Sequence, residues 1–175
     1  MGTAKRTALV IGASRGLGLG LVDELSRRGW SVTATTRGAA QDTSAHAAHW
    51  LKLDINQPES IKQFLPQVQG QRFDLIFVNA GISGPAHQSA IDATPDEIQE
   101  LFQTNAISPI RIAQHLLAQR NPTQSVLAFM SSQLGSIERN VSGHKPLYSA
   151  SKAALNMMTR NLVAEVADPT LTVLS

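Results

Sequence analysis

The chain contains no cysteine among its 175 residues. That removes disulfides, thiolate metal sites and a cysteine nucleophile together, and it agrees with a reducing, cytoplasmic setting, which we expect. Charge of one sign is scarce as well. Fifteen Lys and Arg face 13 Asp and Glu, a net charge of +2, and no basic run occurs, so a nucleic-acid partner is not expected despite a pI near 9.3. No run of eighteen apolar residues is present, and Met1 to Arg6 leads straight into a strand-like segment rather than an apolar leader core. Neither a membrane span nor a secretory signal is expected, and the protein reads as soluble. Metal-ligand spacing is missing too. His46-x-x-His49 has no third ligand placed beside it, and His87, His115 and His144 form no H-E-x-x-H pattern, so no metal is expected.

What is present is an ordinary globular composition, 42% hydrophobic and 16% charged, suited to one domain over residues 1–175 with a real core. Short apolar runs alternate with helical periodicities. Thr7 to Ile11 reads as a buried strand; Leu17, Leu21, Val22 and Leu25 then recur at helical spacing until Gly29. Trp30 to Thr36 and Trp50 to Leu53 give two further strands, Pro58 opens a helix, and Phe73 to Val78 is a fourth strand. Residues 82–93 read as a loop. Thr94-Pro95-Asp96-Glu97 starts a helix to about Gln119, kinked at Pro109. Ser125 to Met130 is a strand, residues 133–146 a loop, Leu147 to Ala167 a helix with Leu155, Met158, Leu162 and Val166 as its core stripe, and Leu171 to Ser175 a last strand. This alternation predicts right-handed crossovers and a doubly wound parallel sheet, a Rossmann fold of strand order 3-2-1-4-5-6. Ligands in such sheets sit beyond the carboxyl ends of the strands. The chemistry-bearing segments Gly12 to Gly18, Asn79-Ala80-Gly81 and Ser131-Ser132 all follow strands, and should meet there.

Gly12-Ala13-Ser14-Arg15-Gly16-Leu17-Gly18 lies between a strand and a helix, where glycines let backbone N–H groups approach a pyrophosphate at a helix N-terminus. The same residues match G-x-S-x-G, the nucleophile elbow of serine hydrolases. That alternative leaves Gly18 unexplained and sets the serine after the first strand rather than deep in the sheet. An NAD site normally offers an acid after the second strand. Here Thr35-Thr36-Arg37-Gly38 has none before Asp42. Arg37 and Arg15 instead suit a 2′-phosphate, so NADP(H) is expected over NAD(H); two solvated surface arginines are the alternative.

Tyr148 and Lys152 stand four residues apart, on one face of a helix. A phenol with an ordinary pKa of about 10 is a poor acid or base at neutral pH, and a neighbouring cation favours its phenolate. Taken singly, Tyr148 also reads as an amphipathic core residue and Lys152 as a snorkelling one. Taken with the glycine turn, they read as a hydride-transfer site.

The ordered set of Gly12-x-x-x-Gly16-x-Gly18, Asn79-Ala80-Gly81, Asn105, Ser132 and Tyr148-x-x-x-Lys152 resembles the short-chain dehydrogenase/reductase family. Met130 to Ile137 and Tyr148 to Asn156 are similar, more narrowly, to its sniffer-type and C-factor-type carbonyl reductases. The resemblance implies Tyr148 as general acid toward a ketone or aldehyde and Lys152 as its tuning cation and ribose ligand. It implies Ser132 as donor to the developing oxyanion and Asn105 as holder of a relay water. Sixteen residues separate Ser132 from Tyr148, more than is usual in the family, and Ser131 and Ser136 lie close by. It further implies that Ser14, Arg15, Gly16, Leu17, Asp54, Ile55, Asn79, Ala80 and Gly81 contact cofactor, with Gly12, Gly18, Arg37, Tyr148 and Lys152. Leu134, Ile137 and His144 are candidate substrate contacts. Pairing of the two long helices implies a homodimer or homotetramer. Past Leu171 the family continues with a Pro-Gly turn, a substrate lid and an edge strand. None is present, so a C-terminally truncated domain is expected. The second functional reading is a non-catalytic relative that binds dinucleotide and acts by interaction.

Overall fold

The computed structural model describes residues 5–38 and 48–175. Its frame is a six-stranded sheet in the order β3-β2-β1-β4-β5-β6, with every pairing parallel. The strands are β1 (Thr7–Ile11), β2 (Ser31–Thr36), β3 (Ala48–Lys52), β4 (Leu75–Val78), β5 (Ser125–Phe129) and β6 (Leu171–Leu174). Between them run α1 (Gly16–Arg27), α2 (Pro58–Val68), α3 (Pro95–Phe102), α4 (Ser108–Leu116) and α5 (Pro146–Val166).

Both faces of β1 are buried, which is why the run reads as continuously apolar rather than alternating. Leu9 and Ile11 join the larger core with Phe64, Ile112, Leu116, Leu155 and Leu162. Ala8 and Val10 pack on the other face with Val22, Leu25 and Val32. Order reverses between β1 and β4, so a crevice opens beyond their carboxyl ends. Every segment expected at that edge leaves a strand there.

Several boundaries differ from expectation. Leu17 shares the helical spacing of Leu21, Val22 and Leu25 but is 72% exposed, because the first turn of α1 projects past the sheet into the crevice. β3 starts earlier than the strand expected from Trp50, so His49 lies within it, paired with Thr33 of β2; His46 lies outside the described residues. The expected helix from 94 to 119 is four pieces, the last a 3₁₀ turn over Leu117–Gln119. α3 opens on a capping box, in which the Thr94 side chain accepts from Glu97 N–H and Glu97 reaches back to Thr94 N–H. A π-helical turn over Gln103–Ile107 then precedes α4. Pro109 has no N–H for the carbonyl four residues back and crowds it. The chain accommodates this with one widened turn, in which Ser108 N–H reaches Gln103 O.

Candidate functional site

The turn after β1 is built by close approach. Gly12 has φ +81°, and a Cβ there would lie 2.8 Å from both Cα and N of Ala80. A Cβ on Gly18 would lie 2.5 Å from Gly12 O and 2.6 Å from the Asn79 amide nitrogen. Only glycine lets α1 start this near the end of β4. Asn79 seals the junction by donating Nδ2–H to Gly12 O at 2.8 Å. Thr35 steadies the other side, its Oγ1 accepting from Gly12 N at 3.1 Å and its carbonyl from Ala13 N at 2.9 Å.

Above this turn lies an open cavity of about 350 Å³. Gly12, Ser14, Arg15, Gly16, Leu17, Arg37, Asp54, Ile55, Asn79, Ala80 and Gly81 all line it. Gly18, Tyr148 and Lys152 do not; Gly18 packs beneath. Arg15 and Arg37 are exposed at the rim. Asp54 lines the cavity, yet one of its carboxylate oxygens accepts from Asn56 N at 2.9 Å and so also closes the turn ahead of α2. Thr36, Leu53, Asn56, Ile82 and Thr104 line the same space. Sequence reasoning missed them, since a threonine ending a strand carries no signal of its own. Asn56 Nδ2–H and Thr104 Oγ1 meet at 2.8 Å.

Gly81 joins this cavity to the second half of the site. A Cβ there would sit 3.2 Å from Asn105 Oδ1 and 3.4 Å from Lys152 Nζ. Asn105 is fully buried. Its Oδ1 accepts from Ile82 N and its Nδ2 donates to Ile82 O, both at 2.8 Å. Nδ2 also donates to Ser151 Oγ at 3.0 Å, tying the π turn to α5.

Lys152 is only 3% exposed. Its ammonium donates to Met130 O at 2.7 Å, and burial pulls its pKa down from 10.5 to about 8. Nζ lies 5.8 Å from the centroid of the Tyr148 ring. Gly135 makes room for this: a Cβ there would meet Lys152 Cβ at 2.8 Å. A second cation, Lys145, also lies 5.8 Å from the Tyr148 ring.

The serines separate by what their hydroxyls already do. Ser131 Oγ–H is spent on Asn156 Oδ1 at 2.6 Å. Ser132 Oγ accepts from Leu134 N at 3.2 Å, which leaves its proton to give. Ser136 Oγ likewise accepts, from Arg139 N at 3.2 Å. Of the expected substrate contacts, Leu134 is half-buried, whereas Ile137 and His144 are exposed. Among the described residues no group of three or more His, Asp or Glu is arranged for a metal, and no helix is long and apolar enough to cross a membrane.

Comparison with known proteins agrees with this geometry. The family model of the short chain dehydrogenases matches residues 6–175. An uncharacterised oxidoreductase of Schizosaccharomyces pombe is 30% identical over 188 residues, covering 100% of this chain and 73% of its own length. The 3-oxoacyl-[acyl-carrier-protein] reductase FabG of Escherichia coli is 28% identical over 96% of this chain and 70% of its own. Among solved structures, a carbonyl reductase from Pseudomonas aeruginosa in complex with NADP superposes with TM-score 0.91 at 34% identity, over 98% of this chain and 78% of that one. The carbonyl reductase Sniffer of Drosophila melanogaster superposes with TM-score 0.83 at 26% identity, over 96% of this chain and 78% of that one.

Proposed function

The chain belongs to the short-chain dehydrogenase family, and from that premise we propose that it is an NADP(H)-dependent reductase of ketones or aldehydes, with Tyr148 as the proton donor. The observation that carries this reading is a buried ammonium, Lys152, held beside the Tyr148 ring and separated by one glycine from the crevice of about 350 Å³ above the glycine turn.

The residues fit a dinucleotide. Backbone N–H groups of the Gly12 to Gly18 turn and the N-terminus of α1 suit a pyrophosphate. Arg15 and Arg37 at the rim suit a 2′-phosphate, and no acid among the described residues of the β2 end opposes it. The NADP-bound Pseudomonas reductase supports the same cofactor. When bound, the reduced nicotinamide supplies the hydride.

The chain's own residues manage the proton. Tyr148 gives its phenolic proton to the carbonyl oxygen of the substrate, and the Lys152 ammonium stabilises the phenolate left behind. Ser132 donates a hydrogen bond from its free hydroxyl to the same oxygen, keeping its proton, where one preorganised donor is worth roughly 3 kcal/mol. The Asn105 carboxamide is already spent on Ile82 and Ser151. A relay water for Lys152 would therefore use its main-chain carbonyl, whose partner four residues on, Pro109, has no N–H. Self-association belongs to the reading too. Ile98, Ile107, Met157 and Val163 are large apolar residues left exposed on α3, the π turn and α5, which suits helix pairing with a second copy.

The test is NADPH oxidation followed over a panel of carbonyl compounds. Tyr148→Phe should lower kcat by roughly 10²–10⁴-fold while NADPH still binds. A variant keeping most of its kcat would refute the acid. Binding without turnover in the unaltered protein would favour the non-catalytic reading.

A further inference from the structure

α5 begins without a local cap. Its N-cap residue is Lys145, in the left-handed region at φ +52°, with no capping side chain, and Pro146 follows. The early N–H groups of such a helix need partners from elsewhere. Tyr148 N–H finds one sixty residues away in sequence, donating to Gln88 Oε1 at 3.0 Å. Gln88 is 91% buried, at 9% exposure, and itself sits at φ +54°, a conformation that a long side chain rarely adopts unless its surroundings demand it.

Both of its amide protons are engaged as well. Nε2 donates to Ser83 O at 2.8 Å and to Pro85 O at 2.7 Å. Two carbonyls on one side and an N–H on the other leave a single orientation for the carboxamide. No hydrogen is left over for substrate. Gly84, at φ +76°, folds the loop around this group, and a Cβ there would lie 2.9 Å from Leu101.

We infer that Gln88 is a positioning residue that locks the loop of residues 82–93 to the first turn of α5 and thereby fixes Tyr148. Its three hydrogen bonds make the loop conformation and the place of the tyrosine one cooperative unit. Loop 82–93 begins at Ile82, which Asn105 also grips, so the glutamine closes a ring running from the π turn through the loop to α5. The consequence for turnover rests on the reductase reading above; the mechanical link does not.

Two variants of the whole chain test this. Gln88→Met keeps length and backbone strain but removes all three hydrogen bonds. Gln88→Asn is one methylene shorter, so its carboxamide cannot span from the loop carbonyls to Tyr148 N–H, while asparagine tolerates the positive φ better than glutamine. Hydrogen exchange is read at the Tyr148 amide and over residues 83–88, and kcat, KM and NADPH affinity are measured with 4-nitrobenzaldehyde as the probe. Gln88→Met should speed exchange at both places. Gln88→Asn should speed it about five- to tenfold at Tyr148, the factor that one lost cap corresponds to. In both, kcat should fall with NADPH affinity within about twofold, since a cap of this size acts on the tyrosine and not on the cradle. Unchanged exchange at Tyr148 in either variant overturns the inference, and so does unchanged kcat with a loosened Tyr148. If the unaltered chain turns over no carbonyl, the reductase reading fails and the exchange result alone decides the link. If Gln88→Met fails to fold, Gln88→Asn decides it.

Discussion

Burial of Lys152 makes its proton the most informative one in the molecule. The folded amine titrates near 8 because burial penalises its charged form, against an ordinary 10.5. Between those values the unfolded chain binds more protons than the folded one, so this site's contribution to stability rises with pH across that window. Below about 8 both states are charged and the burial penalty is felt in full. Relative to Lys152→Met, the unaltered protein should gain up to roughly 3 kcal/mol between neutral pH and about 10.5, read from urea melts at each pH. A difference flat with pH would mean an ordinary amine. Arg37 makes a second prediction at this scale. Arg37→Asp should shift preference from NADPH toward NADH by about ten- to a hundredfold, the worth of one charge-assisted hydrogen bond, measured as the ratio of the two kcat/KM values. An unchanged ratio removes the phosphate role. Both residues were legible in sequence, Lys152 by its spacing from Tyr148 and Arg37 by the acid that is missing beside it. The demotion of Ser131 was not, because it depends on Asn156 arriving from α5 to take its proton.

Glycine in α1 has two opposite meanings within one turn of helix. A Cβ at Gly18 would strike Gly12 O and Asn79, whereas at Gly20 nothing lies within 4 Å. Gly20→Ala should therefore stabilise the protein by about 1 kcal/mol, the difference in helix propensity. Gly18→Ala should destabilise it by several times that, on the order of 3 kcal/mol, and weaken NADPH binding by disturbing the turn. Thermal melts and cofactor titration of the two variants check this, and equal effects would deny the close packing of α1 on the end of β4. The motif spacing pointed to Gly18 but not to its job. It supports the turn from below and never lines the cavity. The π turn at Gln103–Ile107 was half legible: Pro109 marked trouble in the helix, but where the strain is relieved depends on Asn105 being held by Ile82 and Ser151.

For the whole molecule, parallel order and the reversal between β1 and β4 bring the glycine turn, Asn79 to Gly81 and the loops after β5 to one edge. The same architecture turns the outer faces of α3 and α5 outward, with Met157 at 60% and Val163 at 47% exposure. Light scattering after size exclusion should give a dimer or tetramer, and Met157→Glu combined with Val163→Glu should yield monomer with NADPH binding retained. A monomer in the unaltered protein ends the pairing reading.

The apolar strand runs and the helical periods determined the fold and the strand order, because these follow from local spacing and from the short list of ways parallel strands can cross over. The ordered motifs, read through family resemblance, pointed to most of the crevice lining but not to Thr36, Leu53, Asn56, Ile82 or Thr104. Tertiary structure alone decided that Ser131 spends its proton on Asn156, how far the lysine is desolvated, which glycine is a floor rather than a wall, and that Gln88 caps the helix carrying Tyr148. Each of those depends on atoms brought together from distant parts of the chain, where spacing along the sequence carries no information about who meets whom.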